Sequence, residues 1–222
     1  IILRSVIILL SISIFLSSCT TNLEKLIENN ECPDCNLTGV KINGTDLHEA
    51  NLKKARLERA NLKNVNLSGA NMWNADLSGA NLSGANLDGA DLGITNLTGA
   101  NLEGASLKGA NLEGATLRRI KLDGANLEGA NLERVWLGYD RNHYKNFGVS
   151  QEISSLKGAN LSGANLKGAF GLENVILTGV KVDKNTVFPN IRRNDFEEIL
   201  RRSSLSAKEK EVVKNKVKKE QK

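Results

Sequence analysis

Ala80-Asn81-Leu82-Ser83-Gly84, then Ala85-Asn86-Leu87-Asp88-Gly89, is one five-residue word that runs without a gap from Cys35-Asn36-Leu37-Thr38-Gly39 to Val135-Trp136-Leu137-Gly138-Tyr139. A fixed short period has to be read before any local helix or strand signal, because it announces a solenoid. The third place of the word is Leu except at Ile42 and Met72, and the first place is most often Ala. Residues two apart on an extended chain share a face, so both point inward and the residue between them, usually Asn, points out. The last place is most often Gly, which supplies the positive φ required at the third residue of a type II turn. Each word is a very short strand followed by a corner, and four corners close a square. A helical reading fails on the same residues. Apolar places repeating every five do not stay on one side of a 3.6-residue turn, and a Gly in each word would cost about 1 kcal/mol relative to Ala. Working outward, the word resumes at Ser154-Ser155-Leu156-Lys157-Gly158, gains one residue at Phe170-Gly171-Leu172 and ends through Leu177, Val182 and Val187.

This pattern resembles the pentapeptide-repeat family, Ala-Asp/Asn-Leu-X-X. The resemblance implies an all-β solenoid, a right-handed quadrilateral β-helix, here of about seven coils with a C-terminal helical cap. Departures are local: Lys41, Arg56, Lys121 and Trp136 stand where Asn or Asp is usual, and Val65, Ile120 and Val135 where Ala is usual. The expected organisation is a signal peptide over 1–18, a lipidated N-terminus and cap over 19–34, repeats over 35–139, an inserted loop over 140–153, resumed coils over 154–188, and a cap with a basic tail over 189–222. The inward ladder is exemplified by Leu77, Leu82, Leu87, Leu92, Leu97 and Leu102.

The N-terminus carries an address. Arg4 precedes a mostly apolar run from Val6 to Leu16, too short to span a bilayer as a helix, and Leu16-Ser17-Ser18-Cys19 follows directly. That ending resembles a bacterial lipobox, which implies a diacylglyceryl group on Cys19 and a protein on the cell membrane or outer membrane, facing the periplasm or the exterior. An uncleaved anchor and an ordinary signal peptide are the alternatives. The first residue is Ile rather than Met, so the natural chain is expected to start further upstream. Cys32 and Cys35 then remain as a Cys-Pro-Asp-Cys pair, expected to be a disulfide or packed structural thiols. A zinc site would need four ligands and finds only His48 and His143 besides.

The net charge of +5 is uneven. Residues 35–139 hold 11 basic and 11 acidic side chains, whereas 190–222 holds 11 and 6. Some pentapeptide-repeat proteins copy the charge of a nucleic-acid duplex and regulate topoisomerase-type enzymes, the rival reading here. Columns such as Lys53, Trp73, Gly93, Glu113, Glu133 and Glu58, Ser78, Thr98, Arg118, Gly138 are too mixed to mimic a polyanion.

No pocket is expected to gather the scattered carboxylates, and each Gly already serves a corner, so the chain reads as no enzyme, with no cofactor, no metal and no nucleic-acid partner. The surface cluster with recognisable binding chemistry is Arg118, Arg119, Arg134, Trp136, Tyr139, Arg141, His143 and Tyr144, since Arg and aromatic side chains anchor interfaces. The reading is therefore a non-catalytic, lipid-anchored envelope scaffold whose partners are the membrane, through Cys19, and another protein. A homodimer is compatible with it. In the tail, Asn194 or Asp195 is expected to cap a first helix bearing Phe196, Ile199 and Leu200, and Ser206 a second, solvated one.

Overall fold

The computed structural model describes residues 17–138, 153–172, 175–189, 196–197, 200–201 and 206–220. The repeats build a parallel β solenoid in which each outward residue bridges the one directly above it. Four walls result. Wall 1 carries the column Asn36, Arg56, Asp76, Asn96, Thr116, Trp136, Phe170; wall 2 runs from Lys41 to Ile176, wall 3 from Asp46 to Lys181, and wall 4 from Glu31 to Val187.

Register shows where the period is broken. It is 20 residues up to Thr116↔Trp136, then 34 from Lys121↔Ser155 to Trp136↔Phe170, so 14 inserted residues leave the walls aligned. It becomes 21 at Ser155↔Ile176 and 22 at Asn165↔Val187, each step adding one residue to a corner. The second of these corrects the sequence reading. Val187 faces outward and Phe188, 7% exposed, fills the last inward place.

The repeat satisfies its own backbone. In Ala100-Asn101-Leu102-Glu103-Gly104, the Ala100 N–H closes the corner on Leu97 O (3.0 Å) and Asn101 N–H donates to Ala80 O in the coil below (2.9 Å). Leu102 and Gly104 donate to Lys121 O and Asp123 O in the coil above (2.7 and 2.9 Å). The fifth N–H, on Glu103, donates to Oδ1 of Asn101 at 3.0 Å. That is why Asn dominates the outward place. Its carbonyl oxygen takes the one donor the ladder cannot reach, and its amide can bond the column, as Asn131 Nδ2 does to Asn111 Oδ1 (3.1 Å).

Inside, Leu and Ala form one continuous buried core, each fully buried Leu contributing about 2 kcal/mol. Three buried hydroxyls occupy the Ala place and each finds a carbonyl: Thr95 on Leu92 O (2.5 Å), Ser154 beside Leu137 O (2.6 Å), Thr186 on Leu161 O (2.9 Å). Gly171 is required by a close approach: a Cβ there would lie 2.4 Å from the backbone nitrogen of Gly138.

Helix α1, Ser17–Asn29, crosses the open end of the first coil. Leu26 is buried, Asn22 Nδ2 donates to Asn36 O on wall 1 (3.3 Å), and Asn30, at φ 59°, ends the helix with its Nδ2 on His48 O (2.6 Å) on wall 3. The structure adds one word before the run that the sequence starts at Cys35: Glu31 bridges Asn51, Cys32 takes the Leu place and Cys35 the following Ala place. They form a disulfide across that corner. At the other end Phe196 meets Phe188 edge-on at 5.4 Å, and Leu200 is buried. Helix α2, Ala207–Glu220, is not a solvated extension: Val213 is 2% exposed and Lys214 Nζ lies 2.6 Å from Glu197 Oε2.

Candidate interaction surface

The walls sort the charged residues, counting each corner with the wall it closes. Wall 1 has Arg56, Arg59, Arg118 and Arg119 against Glu58 and Asp76; wall 2 has Lys41, Lys63, Lys121 and Lys157 against Glu103 and Asp123. Wall 3 has Lys108, Lys181 and Lys184 against Asp46, Glu49, Asp88, Glu128 and Asp183. Wall 4 has Lys53, Lys54, Arg134 and Lys167 against Glu31, Asp34, Asp91, Glu113 and Glu133. Among the described residues the tower is therefore near neutral in sum but two-sided, net +4 on walls 1 and 2 and net −3 on walls 3 and 4.

The sequence-derived cluster divides on this frame. Trp136 stands on wall 1 above Thr116, with its ring 5.3 Å from that of Phe170 in the next coil, and the two are 52% and 57% exposed. Arg118 and exposed Arg119 close the same wall one coil below, Arg119 at φ 56° in the place where Gly is usual. Arg134 belongs instead to wall 4, where its guanidinium lies 2.7 Å from Glu113 and 3.4 Å from Glu133. Tyr139, Arg141, His143 and Tyr144 lie outside the described residues, as does the side chain of Cys19.

Sequence reasoning passed over Phe170, Ile176, Ile153 and Ile94, all exposed large apolar residues. Phe170 and Ile176 sit on walls 1 and 2, Ile153 at the corner entering wall 2, and Ile94 at the corner that closes wall 4. Counting 20 residues along the chain cannot find the Trp136 and Phe170 pair, because the insertion makes their separation 34. Across wall 4, Lys53 Nζ lies 5.0 Å from the Trp73 ring, whose edge occupies the space a Cβ on Gly93 would need.

Three carboxylates sit below their ordinary range. His48 holds Asp46 down by a side-chain hydrogen bond. Burial opposes the charge of Glu58 and of Asp183, but donors outweigh it: its own N–H, then Thr38 and Arg56 for Glu58, and the N–H groups of Gly163 and Asn185 with the hydroxyl and N–H of Thr186 for Asp183. These shifts stabilise the anions, Asp46 on wall 3 and Glu58 and Asp183 at corners. Among the described residues no group of His, Cys, Asp and Glu could hold a metal ion, and no helix is long and apolar enough to cross a membrane.

A parallel solenoid with a type II corner every five residues and an Asn-capped wall defines a narrow class of protein. The chain belongs to the pentapeptide repeat family, whose profile matches residues 32–69, 55–93, 95–135 and 154–182. It is similar to the solved pentapeptide repeat protein Rfr23 of the cyanobacterium Cyanothece 51142, at 33% identity over 76% of this chain and 98% of that one, with a TM-score of 0.28. A pentapeptide repeat protein of the Arabidopsis thaliana thylakoid lumen is 36% identical over 48% of this chain and 68% of its own, with a TM-score of 0.36. QnrB1, a plasmid-mediated fluoroquinolone resistance protein, is 15% identical over 81% of this chain and 96% of its own, with a TM-score of 0.37. No curated protein matches the sequence significantly.

Proposed function

We propose that the protein is a non-catalytic, lipid-anchored scaffold of the bacterial cell envelope, a right-handed column of about seven coils, capped at both ends, that holds a rigid surface for another protein. The observation that carries the reading is the junction at α1. Leu16-Ser17-Ser18-Cys19 runs straight into a helix whose Leu26 and Asn22 hold the first coil, beside a Cys32–Cys35 disulfide of the kind that persists outside the cytoplasm. The saturated backbone and filled core support a role for the surface rather than for an interior site. Duplex mimicry would need one continuous acidic wall, and walls 3 and 4 interleave seven cations with their ten carboxylates.

Labelling of growing cells with a radioactive fatty acid tests the anchor. The natural chain should take up label and fractionate with membranes, and Cys19→Ala should do neither. Equal labelling of the two chains, or an unlabelled natural chain in the cytoplasm, would overturn the reading.

A further inference from the structure

We infer that the tower lies on its side, with walls 1 and 2 against an anionic bilayer surface and walls 3 and 4 turned outward. The inference rests on the lipid-anchor reading and deepens it, and three independent features point to it. The first is the distribution of exposed apolar side chains. Four of the five large ones among the described residues, Trp136, Ile153, Phe170 and Ile176, lie on walls 1 and 2 or at the corner between them, and only Ile94, closing wall 4, does not. Isolated exposed apolar residues need no explanation, but a one-sided set on a polar column marks an interaction face.

The second is charge. Among the described residues, the side that carries these side chains is net +4 and the opposite side net −3. An anionic leaflet attracts the first and repels the second, and Trp between basic residues is the composition that settles at a membrane interface.

The third is where the anchor leaves. Helix α1 runs across the first coil from wall 1, at Asn22 and Asn36, toward wall 3, at Asn30 and His48. Cys19 is three residues before Asn22 within the same helix, about 4.5 Å along its axis. The backbone of the lipidated residue therefore lies at the wall 1 rim with no slack tether. Five coils separate Asn36 from Trp136, about 24 Å at a strand spacing of 4.8 Å. Lipid at one end of wall 1 and an aromatic pair at the other make two attachments on one line, the first holding the protein to the bilayer and the second setting its tilt.

The two Trp residues of the chain provide the readout. The lipidated full chain carrying Trp73→Phe, which leaves Trp136 as the sole indole, is reconstituted in vesicles of brominated phosphatidylcholine with or without phosphatidylglycerol. A tower lying flat brings Trp136 into contact quenching in the anionic vesicles, with loss of quenching in high salt and in the Arg119→Glu/Lys121→Glu variant, while all samples still float with the lipid. Flotation without quenching of Trp136 means an upright tower and overturns the inference while the anchor reading stands. A chain that carries no lipid overturns the anchor instead, and with it the inference. Trp136 shielded from bromine in a particle of twice the mass by light scattering would assign the face to a second copy of the chain and overturn the inference as well.

Discussion

At the scale of the residue, the repeat is a set of places with different tolerances. The inward place is unforgiving. Leu87 is fully buried, so Leu87→Ala is expected to cost about 2–5 kcal/mol through lost burial and a cavity, whereas Ser83→Ala at an outward corner should cost under about 0.5 kcal/mol. Chemical unfolding of the two variants checks this, and similar midpoints would mean inside and outside are exchanged. The corner place is tolerant of Asn, Lys, Arg and Glu at φ near 57°, but Ile94 holds φ 49° there with a β-branched side chain, a conformation that costs on the order of 1 kcal/mol. Ile94→Asn, matching Asn74 one coil below, is expected to raise the thermal midpoint. A fall would show that contact of the Ile94 methyl with Gly114 outweighs the strain.

At the scale of the element, neighbouring coils repair one another's departures from the pattern. Where Ser106 replaces the outward Asn, it cannot accept the Lys108 N–H, and Asp88 in the coil below does so at 2.9 Å while also accepting the Ser106 hydroxyl. Asp123 serves Lys157 (3.2 Å) and Ser155 in the same way across the insertion. Asp88→Ala is therefore expected to cost about 1 kcal/mol, and Ser106→Asn to recover most of it in that background while changing the natural chain little. Additive effects in a double-mutant cycle would sink the idea of shared capping.

The corner at Asp183 adds a pH response. Its carboxyl is held low in the folded state, so its stabilisation is fully present above the unfolded value of about 3.9 and is lost as pH falls through the lower folded value. Thermal midpoints of the natural chain and Asp183→Asn should differ at pH 6, and the difference should shrink as pH falls below about 3.9.

At the scale of the whole molecule, a solenoid is as stable as its ends, because open ends expose core and strand edges together. The upper end is held by Phe188 against Phe196 and by α2, through Val213 and the Lys214 to Glu197 pair. Val213→Asp is expected to release α2, seen as early proteolytic loss of residues 207–220 with the β spectrum kept. Unchanged proteolysis would show that α2 contributes nothing to the cap. The two-sided charge also belongs to this scale, since no single coil carries it.

The sequence alone determined the parts of the protein that repeat. Leu and Ala inward, Asn outward and Gly at the corner could be read because every word performs the same physical task, and one misread word is corrected by its neighbours. Tertiary structure decided whatever depends on the count between words. Asp183, capping Gly163, Asn185 and Thr186, holds an extra residue in its corner and moves the last inward place from Val187 to Phe188. The 14-residue insertion sets Phe170, rather than a residue 20 places on, over Trp136, and α2 folds back because Val213 finds an apolar contact its mostly charged sequence does not announce. Periodic burial is local information written in every word. Register, by contrast, is a running sum, and each inserted residue changes what stands above what.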